Sequence, residues 1–204
     1  MNNPSSSTWS ALVAPGQAVS GRARAASTGF TMIELMVVIT VVAILGMIAI
    51  PSFTYITTAN RIASQINGLL GDIQYARAEA IKEGLSVGVC SSTDGLTCSG
   101  SNIWTTGWIV FADSAGNGTV AANEPVLRVQ TALTGSNSLS ADNTTNYIVF
   151  NRDGFAFGLP GTVTFSLHSP GAVQQWTRCL SVNIVGRLAT ETHGQTLQGG
   201  NPCT

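Results

Sequence analysis

Charge is what this chain of 204 residues has least of: Asp, Glu, Lys and Arg make up only 9%, against about 25% in an ordinary soluble domain. Hydrophobic residues make up 44%. Together these figures exclude a disordered polyelectrolyte and fit a membrane or secreted protein. The net charge of -1 lacks the broad basic footprint of non-specific DNA binders and leaves only a local basic patch open. No glycine-rich phosphate loop follows a predicted strand. His168 and His193 stand near no Cys or Ser in a recognised catalytic context. An enzyme is not expected, and neither is a cofactor.

Cysteine is also sparse. Cys90, Cys98, Cys179 and Cys203 form no CxxC motif, and neither histidine falls at a zinc-ligand spacing, so no metal centre is expected. Four cysteines allow three connectivities. The two sequence-local pairings, Cys90 with Cys98 and Cys179 with Cys203, each close a short loop. They are expected to stabilise the fold by roughly 2.5 and 3.5 kcal/mol on the chain-entropy model.

What the chain does have is one long apolar run. Met32 to Ile50 is almost continuously Leu, Ile, Val, Ala and Met. At about 1.5 Å per residue it spans roughly 28 Å, close to the thickness of a bilayer core. It is longer than the h-region of an ordinary secretory signal, and it runs into Ile50-Pro51-Ser52-Phe53, a poor cleavage site. A retained helix is expected. Glu34 sits near its start. A carboxylate in a membrane segment costs on the order of 2.5–3.5 kcal/mol at mid-bilayer. Near the end of the segment it costs less, but it still calls for a partner. A new amino terminus made by cutting between Gly29 and Phe30 would supply one. Arg22 and Arg24 precede the run, which places the N-terminus in the cytoplasm and the rest outside it, where disulfides form.

Helical pattern continues past Pro51. Apolar residues at Ile56, Ile62, Ala63, Ile66, Leu69, Leu70, Ile73, Ala76, Ala80 and Ile81 make one stripe, and Gly84 is a C-cap. A single helix kinked at Pro51 is expected. Beyond it, Leu85–Cys90, Trp104–Phe111, Pro125–Gln130, Tyr147–Phe150, Val163–His168 and Trp176–Val185 read as strands. Asn151–Gly154 and Ser169–Gly171 read as turns. A helix followed by consecutive strands implies an α+β fold, with an antiparallel sheet packed on the helix. The expected organisation is a leader over 1–29, a transmembrane half-helix over 30–51, an amphipathic half-helix over 52–84 and a β-rich domain over 85–204.

The stretch Gly29-Phe-Thr-Met-Ile-Glu-Leu-Met-Val-Val-Ile39 resembles the type IV pilin and pseudopilin signature, and Pro51 falls where many such proteins have a proline. Asn60–Gly84 (with Gln74-Tyr75-Ala76-Arg77-Ala78-Glu79-Ala80), Gly107–Asp113 and Val185-Gly186-Arg187 resemble the GspH/FimT family of minor pilins and pseudopilins. The similarity spans most of residues 29–190. The resemblance implies a pilin fold and cleavage by a prepilin peptidase after Gly29. It also implies N-methylation of Phe30, and pairing of Glu34 with the Phe30 amine of a neighbouring subunit. The partners implied are the peptidase, other pilins or pseudopilins and inner-membrane lipid. The protein would be a subunit of a type IV pilus or, alternatively, a type II secretion pseudopilin near the pseudopilus tip. The FimT-like segments lean towards the pilus.

Other features remain as candidates. Asp113 through Glu124 matches an EF-hand loop at positions one, five, six and twelve, but Ala115 and Ala121 stand where ligands are needed. A turn held by Asp and Asn side chains is the expectation. Arg178 and Arg187 are candidate DNA contacts. Some FimT-like proteins are associated with DNA uptake through a Gly-Arg-x-Arg motif, of which Gly186-Arg187-Leu188-Ala189 keeps only the first arginine. Trp108 is assigned to the core, Trp9 to the leader, and Trp104 and Trp176 to the surface.

Overall fold

The computed structural model describes residues 29–142, 144–196 and 199–204. The leader before Gly29, with Trp9, Arg22 and Arg24, lies outside them. The described residues fall into two compact units, one ending at Leu45 and the other Gly46–Thr204.

One helix, α1, runs from Met32 to Glu83. Its helical assignment is continuous through Pro51, so no interruption marks the kink expected there. It ends where the sequence predicts. The Gly84 N–H donates to Ala80 O at 3.0 Å, with Gly84 at φ +68°, the left-handed terminus that only glycine adopts without cost.

Among the described residues nine strands follow. They are β1 Val87–Ser91, β2 Gly107–Ala112, β3 Val126–Thr131, β4 Ser138–Ala141, β5 Tyr147–Phe150, β6 Ala156–Phe157, β7 Val163–His168, β8 Arg178–Val182 and β9 Leu188–Thr192. They form two antiparallel sheets rather than the single sheet expected, in the orders β3-β2-β1-β5-β6 and β4-β7-β8-β9. The chain interleaves them. After β3 it leaves the first sheet for β4, returns for β5 and β6, then completes the second sheet. Strands β4, β6 and β9 escape a sequence reading because they are short or polar. Trp176 belongs to a 3-10 turn over Gln174–Trp176, not to the strand predicted from it.

The helix supplies the shared wall. Ile62, Ile66, Leu69, Ile73, Ala76 and Ala80 are buried at alternating steps of four and three, which lays them along one face. They join one cluster with Val89, Trp108 and Ile148 of the first sheet and Phe165, Leu167 and Leu180 of the second. Each large aliphatic side chain in that stripe stabilises the fold by about 1.5–3 kcal/mol. Ile56, Ala63 and Ile81 belonged to the predicted stripe but are exposed.

Trp108 is core, as its alternation with Val110 predicts. Trp104 corrects the expectation of a surface residue. It is fully buried, its Nε1–H donates to Thr145 O at 3.2 Å, and its ring stands edge-on to Phe165 at 4.9 Å. Trp176 is half-buried and meets Tyr55 with 5.5 Å between ring centroids.

Candidate assembly site

From Phe30 to Ile50 every residue except Gly46 is exposed. This part of α1 is long and apolar enough to cross a membrane. Glu34 is its only charged residue. The backbone polar groups of such a segment are satisfied within the helix itself, as a bilayer requires. The Thr40 hydroxyl is satisfied too, donating to Met36 O at 2.7 Å.

Glu34 has a local role that the residue types foretell but the sequence reading missed. The Glu34 N–H donates to Thr31 Oγ1 at 3.2 Å, and the Thr31 N–H donates to Glu34 Oε2 at 3.4 Å. This reciprocal pair is a capping box, signalled by Thr-x-x-Glu. It satisfies two orphan donors at the helix start and sets a negative charge where the helix dipole favours one. Phe30 lies immediately before it and is exposed.

The four cysteines are joined as Cys90–Cys98 and Cys179–Cys203, with Cα separations of 5.6 and 5.7 Å. The first ties the end of β1 to the following loop. The second fastens the C-terminal tail to β8, with both half-cystines fully buried.

In the loop from Asp113 to Glu124 both carboxylates face inward and bind their own backbone. Asp113 accepts from the N–H groups of Asn117 and Gly118 at 3.0 and 2.8 Å. Glu124 accepts from Ser114 N–H and Oγ–H, both at 2.8 Å, and from Ala121 N–H at 2.9 Å. Burial by itself would raise the Glu124 pKa, but these donors together outweigh it and leave the pKa below the ordinary value. The oxygens that calcium would need are already engaged in organising the turn.

Arg178 and Arg187 are not brought together. Arg178 starts β8 opposite Thr192, while Val182 pairs with Leu188. Four strand steps, about 13 Å, separate Arg178 from the end where Arg187 lies. Arg178 Nη1 donates to the carbonyls of Gln175 and Thr177 at 3.1 and 2.8 Å. Arg187 is exposed and instead shares a groove with Arg77 of the helix.

An apolar anchor helix led by one carboxylate, with an amphipathic helix laid across disulfide-stapled antiparallel sheets, defines a pilin-like subunit. The chain belongs to the family described as type II transport protein GspH, whose model matches residues 65–186, more than half its length. Residues 24–50 match the prokaryotic N-terminal methylation motif. The protein is thus a membrane-anchored minor pilin or pseudopilin, of a class that serves as structural subunits and is processed by a peptidase before assembly with other pilins. Among solved structures, the fold is similar to that of the type IV minor pilin FimU of Pseudomonas aeruginosa. The identity is 22% and the TM-score 0.51, over 68% of this chain and 92% of that one. The minor pseudopilin EpsH of the Vibrio cholerae type 2 secretion system aligns at 15% identity and TM-score 0.48, over 66% of this chain and 99% of that one. No curated protein sequence matches the chain.

Proposed function

We propose that this protein is a minor subunit of a type IV pilus. It is inserted in the inner membrane with its N-terminus cytoplasmic and its β domain periplasmic. Prepilin peptidase cuts between Gly29 and Phe30, Phe30 is N-methylated, and the apolar helix then passes from the bilayer into a filament core. The observation that carries this reading is the run from Phe30 to Ile50, exposed at every residue but Gly46, with Glu34 as its single charge.

In that core a carboxylate alone is strongly penalised, as is an amine alone, whereas the two together attract in a low dielectric. Pairing of Glu34 with the Phe30 amine of a neighbour therefore selects axial register, because a slipped subunit leaves both charges buried and unpaired. The capping box supports this role by holding Glu34 in the first helical turn, next to the terminus that cleavage would create. Orientation follows from Arg22 and Arg24 before the helix and from four cysteines after it. DNA contact is not part of the reading, because Arg178 and Arg187 lie at opposite ends of the β8–β9 pair, about 13 Å apart, and form no joint basic patch.

The pilus assignment rests on the FimT-like segments Gln74–Ala80 and Gly107–Asp113. The family's description as a type II transport protein favours a second reading, a pseudopilin acting in protein secretion. The intact mass of the protein from cells with and without prepilin peptidase tests the class. A peptidase-dependent product beginning at N-methylated Phe30 supports assembly, and a product that keeps residues before Phe30 overturns it. Deletion of the gene then separates the pathways. Loss of surface pili with normal secretion supports the pilus, and the converse supports the secretion system.

A further inference from the structure

Two segments 108 residues apart in sequence meet at one groove of the β domain. Arg77, on the helix, donates from Nε to Gly154 O at 2.9 Å and reaches Val185 O from Nη2 at 3.5 Å. Those carbonyls belong to two turns of the same form, Asn151–Gly154 and Asn183–Gly186, each closed by a glycine N–H donating to the asparagine carbonyl at 2.9 Å. Both glycines have positive φ. A Cβ on Gly186 would collide with Gly154 O and come within 2.9 Å of Arg77 Nε, so the close approach of the two turns requires glycine there.

The resulting groove, of about 520 Å³, has a floor of Ala78, Ile81, Val185 and Leu188 with Arg77 and Arg187 along it. Ile81 and Val185 are about half exposed, as are the adjacent Phe155 and Ile184. Among the described residues neither Arg77 nor Arg187 is in a salt bridge. An exposed apolar floor beside two cations without a carboxylate is a half-made interface.

Building on the filament reading, we infer that this groove receives a segment of a different filament subunit, one that carries a carboxylate beside apolar side chains. Its carboxylate meets Arg187 and Arg77, and its apolar residues cover Ile81 and Val185. Charge complementarity selects this occupant. From Pro51 onward the chain holds seven Lys and Arg against nine Asp and Glu, a formal charge of -2, which disfavours a polyphosphate. Among the described residues no aromatic lines the groove, and half-exposed Phe155 beside it is a single ring rather than the series on which successive single-stranded bases stack. A second copy fits poorly, because most of its carboxylates are already held. Lys82 binds Glu79 and Glu83, and Arg128 binds Asp72. Asp94, Asp113 and Glu124 bind backbone N–H groups of their own loops.

The test uses the full chain in its host, with a photo-crosslinking phenylalanine analogue at Val185. Filaments are sheared off after irradiation and the adducts sequenced by mass spectrometry. The expected adduct joins position 185 to a peptide of another pilin-like subunit containing Asp or Glu next to apolar residues. Arg187→Glu should lower its yield by about tenfold or more, and Arg178→Gln, outside the groove, should leave it unchanged. If the chain is present in filaments but position 185 gives no adduct, or an adduct only with nucleic acid, lipid or a second copy, the inference is overturned. If the chain is absent from filaments altogether, it is the filament reading that fails.

Discussion

The indole N–H of Trp108 donates to Asp72 Oδ2 at 2.9 Å, fastening β2 to the middle of the helix. The other oxygen of Asp72 takes Arg128 Nη1 at 3.1 Å, and the Arg128 guanidinium lies 3.7 Å from the Tyr75 ring centroid. A carboxylate on the polar flank of the stripe is thereby the acceptor for a buried tryptophan that would otherwise be unsatisfied. Asp72→Leu should destabilise the detergent-solubilised full chain by about 1–3 kcal/mol, read as a lower denaturation midpoint. Asp72→Asn keeps an acceptor for the indole and should lose less. Equal losses in the two variants would show that the indole bond is not what matters.

Glu34 and Thr31 should separate assembly from helix stability. Glu34→Ala is expected to leave leader cleavage and membrane insertion intact while removing the chain from sheared filaments. Thr31→Ala breaks the cap, costing about 1 kcal/mol, and should only reduce incorporation. Immunoblots of filament and membrane fractions make the comparison. Normal incorporation of Glu34→Ala would refute a register role for that carboxylate.

The two disulfides should contribute unequally. Replacing Cys179 and Cys203 with Ser opens the longer loop and frees the tail, and should destabilise by about 3.5 kcal/mol. The Cys90 and Cys98 pair should cost about 2.5 kcal/mol. Thermal denaturation of the two double variants, without reductant, checks the order.

Stability should fall in two stages on acidification. Burial, and then the charge of His193, lower the pKa of His168 below its ordinary 6.5. The fold favours the neutral ring, so its contribution is present above that value and is lost as pH falls below it. Glu124, also depressed, contributes above the ordinary carboxylate value and loses that contribution as pH falls through its folded pKa. His168→Gln should remove the first stage and Glu124→Gln should reduce the second, seen in denaturation midpoints across the pH range. Asp94, held low by its hydrogen bonds from Thr97 and Leu96, also contributes to that second stage.

Calcium and chelator should both leave the melting temperature unchanged, because the Asp113 and Glu124 oxygens are bound to backbone N–H groups. A rise in melting temperature with calcium would show that the loop can exchange those donors for a metal ion.

The sequence by itself determined the features that depend on near neighbours in the chain. An apolar run needs only its composition to declare a membrane helix, and a stripe recurring every three or four residues needs only helical geometry. Glu34 stands out because a lone charge in such a run is costly wherever the helix goes. The Thr31–Glu34 box was equally legible, as a Thr-x-x-Glu spacing. Only the tertiary structure decided which distant groups meet. Nothing local says that Asp72 will receive Trp108, that Trp104 will be enclosed, or that polar β9 will complete a second sheet. Nor does it say that Arg77 will bridge two asparagine–glycine turns. Those outcomes depend on how the sheets close over the helix. Packing and hydrogen-bond satisfaction across the whole core settle that, and residue spacing does not record it.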